Sequence, residues 1–369
     1  MLDQVAALSW VREHIAAFGG DPQAVTLVGQ SSGALAAGMH ITSPLSAGTF
    51  QQAVLLSGSP LQTPALNTPQ HVAAFWVNYA RHLGCLRSNR TVPPSLTKKM
   101  LACMETVLAS PGGRNRLPTM ALVKRSLSAD RLFVNLPIVV DGHFQPRSQV
   151  ELLADQASSS SNFNISLLFG YTDDEGSWIA ALEDRPHFGP FAHPSISREE
   201  AEKTVEGLIL KMRTTKGREV DQANLTATVV EFYLRRLYRD QQQLLGSNNK
   251  TEDEGLVLSR LLSSLLGDHY ISCPANLFAS LLAERSLKSN GSSSNVYQYL
   301  WTYKGNPRTS AFWAAFSRIW CGQWMGACHA FEMYALFGAP FLEPASFNSE
   351  DRVVSLKTIE MVAYFAHQR

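Results

Sequence analysis

Five residues decide most of what this chain can fold into. Gly29-Gln30-Ser31-Ser32-Gly33 lies directly after the apolar run Val25-Thr26-Leu27-Val28 and directly before a stretch of small residues reaching Ile41. The apolar run is short, β-branched and bounded by glycine, so it reads as a buried parallel strand. Ser31–Ile41 reads as a helix. A strand that becomes a helix across so few residues needs a sharp, strained turn, and a serine at its centre is lifted out at the strand's C-terminal end. Glycines on both sides of that serine are expected to remove Cβ clashes. The helix N-terminus beneath it favours developing negative charge. The residues alone leave two readings of Ser31: a nucleophile on an elbow, or an N-cap of the helix.

The same strand-then-helix alternation recurs along the chain. Val5–Phe18 has helical spacing and stops at Gly19-Gly20, a C-cap. Ala53–Leu56, Ile165–Phe169 and the aromatic run Val296–Tyr303 read as further strands. A mostly helical stretch, roughly 185 to 290, separates the last two, with polar linkers at Asp240–Glu254 and Ser286–Asn295. Strands alternating with helices predict a parallel α/β sheet.

Composition narrows the partners. With 369 residues, 45% of them hydrophobic and 17% charged, the chain can bury a core without a metal or disulfide staple. Lys+Arg number 32 against 31 Asp+Glu, and no block of one sign stands out. That argues against nucleic acid or an anionic membrane as the main partner. No apolar run reaches the roughly 18 residues of a transmembrane helix. No signal peptide opens the chain, yet Asn-x-Ser/Thr occurs five times, at Asn89, Asn164, Asn224, Asn249 and Asn290. These sequons point to a secreted or cell-surface glycoprotein, and so to a chain that starts inside something longer. In that compartment Cys85 and Cys103, around a polar segment, are expected to form a disulfide rather than two buried thiols. Cys273, Cys321 and Cys328 cannot all pair internally, and no Cys/His spacing suits a metal.

A nucleophilic serine needs a base, and the base needs an orienting acid. In the Ser, acid, His order, the acid follows a later strand. Asp173, Asp174 and Glu175 follow Ile165–Phe169, and His329 lies beyond the last strand in the aromatic, glycine-bearing segment Trp320–Phe337.

Longer stretches carry a resemblance. LDQVAALSWVREHIAAFGGDPQAVTLVGQSSGA, VVDGHF (Val139–Phe144), GYTDDEGSW, GDHYISCPAN (Gly267–Asn276) and WMGACHAFEMYALFGAP stand in one order along nearly the whole chain. They resemble, in that order, landmarks of the type-B carboxylesterase/cholinesterase family. The resemblance implies an α/β-hydrolase fold with a mostly parallel sheet and helices on both faces. Residues 1–369 would then be one partial domain, its N-terminal strands missing, with the stretch at roughly 185–290 as a helical insertion. It implies Ser31 as nucleophile, Glu175 as acid and His329 as base. The activity implied is two-step acyl transfer on carboxylic esters, choline esters among them, with a small-molecule ester as partner and no cofactor. Ser57 matches a serine that supports the histidine's surroundings; its other reading is an ordinary buried serine.

Four departures follow from the same comparison. Gln30 stands where the family usually carries Glu, and Ser32 where it carries Ala or Gly. The Ser32 N–H still serves as an oxyanion donor, but the family's glycine-rich loop has no counterpart in the about 30 residues before Ser31. Cys273 resembles a cysteine whose partner lies beyond Arg369, so it should find none here. For the substrate pocket, Leu132 and Val134 match acyl-pocket positions, and aliphatics there imply room for longer acyl groups. Trp178 either faces a choline or packs the core, and Trp320 reads as pocket wall or core. A non-catalytic cholinesterase-like binding module is the alternative to an enzyme, and a lipase or peptidase of the same fold class is the third reading. A triad predicts Glu175 and His329 within hydrogen-bond reach, with His329 facing Ser31 Oγ.

Overall fold

The computed structural model describes residues 1–62, 73, 76–77, 79–81, 83–86, 94–109, 139–155, 164–183, 185–189, 192–212, 222–245, 254–288, 294–305 and 321–368. The chain forms two compact units: Met1–Gln62 with Gln149–Arg369, and Thr63–Ser148. Leu132, Val134, Trp320, Asn89, Asn249 and Asn290 lie outside the described residues.

In the first unit the chain runs through α1 (Leu2–His14), β1 (Thr26–Gln30), α2 (Ser32–Thr42), β2 (Gln52–Leu56), β3 (Ser166–Thr172) and α3 (Glu175–Glu183). It continues through α4 (Arg198–Met212), α5 (Gln222–Leu245), α6 (Glu254–Gly267), α7 (Cys273–Lys288), β4 (Val296–Trp301) and α8 (Ser349–His367). The four strands form one parallel sheet in the order β1-β2-β3-β4. Leu27 pairs with Ala53, Ala53 with Leu167, and Leu167 with Val296. β2 is buried along its whole length, which is why QAVLL shows no polar alternation.

Alternate side chains on these strands face different helices. Ala53, Leu55, Leu167 and Phe169 meet Ala34, Ala37 and Ile41 of α2 and Ala275, Phe278 and Leu282 of α7. Val54, Leu56 and Leu168 instead meet Val362 and Phe365 of α8. Helices therefore cover both faces of the sheet, and each fully buried Leu, Ile or Phe contributes about 1.5–3 kcal/mol. The small residues of α2 let that helix approach the sheet closely, which brings its N-terminus to the end of β1. α1 continues into a 3-10 turn, Ile15–Phe18, that ends at Gly19 with φ 82°, the left-handed cap its glycine permits.

In the second unit Tyr79, Ala80, Leu83, Met100 and Met104 form a small core around the helix Pro94–Ala109. Cys85 and Cys103 are bonded there, with Cα atoms 5.7 Å apart. A second disulfide, Cys321–Cys328, lies in the first unit, and Cys273 is free and exposed. Among the described residues, no helix is long and apolar enough to cross a membrane.

Candidate active site

The turn between β1 and α2 carries the first site residue. Ser31 has φ 56° and ψ −119°, a backbone conformation that a non-glycine residue adopts only at a cost of order 1–3 kcal/mol. The surroundings hold it there: the Ser31 N–H donates to Leu56 O at 2.9 Å. Only one of the two expected glycine roles is found. A Cβ on Gly29 would sit 2.1 Å from Gly33 O, whereas a Cβ on Gly33 would meet nothing within 4 Å. Gly29 is needed because the strand passes against the backbone of the first helical turn. Ser31 occupies the N-cap position of α2, but its side chain makes no capping hydrogen bond. Ser32 is the first residue of α2, so its N–H belongs to the turn that lacks intrahelical acceptors.

Glu175 opens α3 directly beyond β3, and His329 lies on a loop after β4. The structure joins them: His329 Nδ1 is 2.6 Å from Glu175 Oε2, and each side chain is only 1% exposed. The second carboxylate oxygen, Oε1, accepts the Thr172 N–H at 2.8 Å. Both oxygens are thus engaged and the carboxylate plane is fixed. An acceptor on Nδ1 keeps the ring proton there and leaves Nε2 with its lone pair. That nitrogen lies 3.4 Å from Nε2 of Gln30, the residue preceding Ser31. The amide N–H of Gln30 donates toward it.

Gly176 explains how so polar a group is buried. A Cβ there would lie 1.6 Å from Ser263 O, so only glycine lets α3 press against α6 beside the carboxylate. Trp178, one turn along α3 from Glu175, stacks on the His329 ring with centroids 4.7 Å apart and planes 25° apart. Its place is therefore against His329.

Ser57 reaches His329's surroundings through another group. Its hydroxyl donates to Glu332 Oε1 at 2.9 Å, and Glu332 is 2% exposed. Burial pushes the Glu332 carboxyl up from 4.5 to about 7, and the nearby Glu175 charge adds to this. Tyr299 OH lies 3.5 Å from the same oxygen, and burial raises that phenol well above its usual range, so it is a neutral donor. Sequence reasoning did not pick out Glu332. The available signal was an acid three residues after His329, one helical turn away in spacing.

Glu332 carries a stability prediction. Its folded value lies above its unfolded one, so the folded state holds the proton longer. Stability therefore falls as pH rises from about 4.5 to about 7, and the penalty is complete above that. Glu332→Gln keeps an acceptor for Ser57 and cannot ionise. Its melting temperature relative to wild type should rise by a few degrees between pH 4.5 and pH 8. A difference that is flat across that range would show that Glu332 ionises as freely folded as unfolded.

Of the sequons, Asn164 and Asn224 are exposed. The Asn164 side-chain Oδ1 accepts the Ser294 hydroxyl at 3.1 Å.

The model of the carboxylesterase family matches residues 1–369. The acetylcholinesterase of Leptinotarsa decemlineata is 25% identical over 365 residues, which cover 99% of this chain and 49% of that protein. The acetylcholinesterase of Bungarus fasciatus is 28% identical over 370 residues, 99% of this chain and 51% of its own length. That of Danio rerio is 27% identical over 393 residues, 99% and 53%. The chain spans about half the length of the curated relatives it matches.

Proposed function

Because the chain belongs to the carboxylesterase family, a family of serine ester hydrolases with the α/β-hydrolase fold, we propose that Ser31, Glu175 and His329 perform two-step acyl transfer on carboxylic esters. The observation that carries this is the buried Glu175–His329 pair at 2.6 Å, with the other ring nitrogen turned to Gln30, the residue beside Ser31. His329 Nε2 takes the Ser31 proton as the hydroxyl attacks the ester carbonyl. It then passes that proton to the leaving alcohol, and water repeats the sequence on the acyl-enzyme. Glu175 holds the imidazole in the tautomer that leaves Nε2 bare and stabilises the imidazolium that forms. The Ser32 N–H donates to the oxyanion at the positive end of α2.

The small-molecule partner is an ester, and choline esters are candidates because the relatives named above are acetylcholinesterases. By the family resemblance alone, aliphatic Leu132 and Val134 favour acyl groups longer than acetyl. The helical stretch at roughly 185–290 is read as an insertion on this hydrolase scaffold. The two disulfides support a secreted or cell-surface location, where such bonds persist.

The test is covalent labelling of the full-length protein with an organophosphate, followed by peptide mapping. Label on Ser31 is expected. An unlabelled protein would favour the non-catalytic binding module. Hydrolysis rates on acetylthiocholine, butyrylthiocholine and p-nitrophenyl esters then rank the substrate classes.

A further inference from the structure

His329 is carried by a loop, and a loop does not by itself hold a side chain to the accuracy that proton transfer needs. The residues around it show how this loop is held. Before the histidine, a 3-10 turn Gln323–Met325 leads to Gly326 with φ 67°, where a Cβ would lie 1.9 Å from Asp174 Oδ2. Asp174 grips the next residue from both sides: its carboxylate accepts the Ala327 N–H at 2.8 Å, and its own N–H donates to Ala327 O at 3.1 Å. Directly after the histidine, Ala330 has φ 70°, a left-handed conformation with no glycine to relieve it. Strain of that kind, about 1–3 kcal/mol, persists only where neighbours over-determine the backbone.

We infer that the Cys321–Cys328 disulfide is the staple that sets the register of this loop, and that both cysteines are positioning residues for the base. The bond joins Cys321, two residues before the 3-10 turn, to the residue immediately before His329. It is enclosed, with Cys321 4% and Cys328 0% exposed, so it belongs to the interior of the site. It closes the segment that Asp174 grips, and it anchors the near side of His329 against the strained Ala330. Without it, Cys328 keeps local ties such as the Phe331 N–H on its carbonyl at 3.1 Å but no bond back to Cys321, and the imidazole can slide relative to the Ser31 elbow while Glu175 still holds Nδ1. The consequence is kinetic: transition-state geometry suffers and substrate binding does not.

This inference rests on His329 being the base, so the experiment separates the two. In the full-length protein, the concentration of competent sites is titrated with the organophosphate, and kcat is expressed per titrated site. Cys321→Ala, Cys328→Ala and the double variant should each lose about tenfold or more in kcat, with KM within about twofold. The three losses should be equal, because a staple needs both ends. A loss confined to variants of Cys328 would mean that its packing beside His329 matters and the bond does not. Unchanged kcat in Cys321→Ala, with wild type labelled at Ser31, would overturn the inference alone; unlabelled wild type would overturn the proposed function. Should the variants fail to fold, alkylation of denatured wild type decides. Iodoacetamide should modify Cys321 and Cys328 only after dithiothreitol, and modification without it would overturn the staple.

Discussion

Ser31→Ala, made in the full-length protein, is expected to lower kcat by about a millionfold and to abolish organophosphate labelling, with the fold intact. The size follows from the nucleophile's place in the mechanism. Without Oγ there is no acyl-enzyme, His329 has no hydroxyl proton to take, and Glu175 has no imidazolium to stabilise. What survives is binding and the Ser32 N–H, which together leave only a residual rate. The intact fold follows from the structure of the elbow. A serine that served as an N-cap would lose about 1 kcal/mol on truncation. Ser31 makes no side-chain cap to α2, and its N–H bond to Leu56 O is backbone, so alanine keeps it. Kinetics and melting therefore separate the two readings of this residue. A variant that melts earlier and still turns over would make Ser31 a cap and place the nucleophile elsewhere.

The parallel sheet was legible because its two central strands are buried on both faces and so appear as unbroken apolar runs. Ala53–Leu56 and Ile165–Phe169 need no partner information to be recognised; the first falls within β2, and the second begins one residue before β3. The elbow was legible for a related reason: a strand meeting a helix in so few residues leaves little choice of turn. Which glycine mattered was not legible. That depends on which backbone passes nearby, and it is Gly29 that meets the first turn of α2.

Three adjacent acids show where reading a sequence stops. Asp173, Asp174 and Glu175 are equivalent by spacing, and only the resemblance distinguished them. In the structure they point three ways. Asp173 is exposed, Asp174 grips the Ala327 backbone, and Glu175 meets His329. Asp173 and Asp174 lie in the turn that ends β3 and Glu175 opens α3, so neighbours in sequence become neighbours of different elements. Glu332 was missed because an acid in an apolar segment has no periodicity of its own. Only the arrival of Ser57, 275 residues away in sequence, gives it a partner. The pairing of Cys321 with Cys328 was open for the same reason: connectivity is a property of the fold and not of the cysteine count.

Glu175→Gln should lower kcat by about ten-thousandfold, with KM little changed. The variant is nearly isosteric, so its effect is a test of which ring nitrogen carries the proton. Two demands meet at this carboxylate. The Thr172 N–H, 2.8 Å from Oε1, needs an acceptor, and so does the proton on His329 Nδ1, 2.6 Å from Oε2. A carboxylate answers both. An amide has one oxygen, and leaving the buried Thr172 N–H without an acceptor costs about 1–3 kcal/mol. The amide oxygen therefore stays on Thr172, and the NH2 group faces Nδ1. Nδ1 must then be the acceptor, which moves the ring proton to Nε2. That is the nitrogen that has to be bare to take the Ser31 proton. Gln30 reinforces the wrong state, because its amide can turn to offer Oε1 to an Nε2–H across the same 3.4 Å contact. The measurement is kcat per organophosphate-titrated site against that of wild type. A loss of tenfold or less would mean that the Glu175–His329 contact is structural and that another group orients the base.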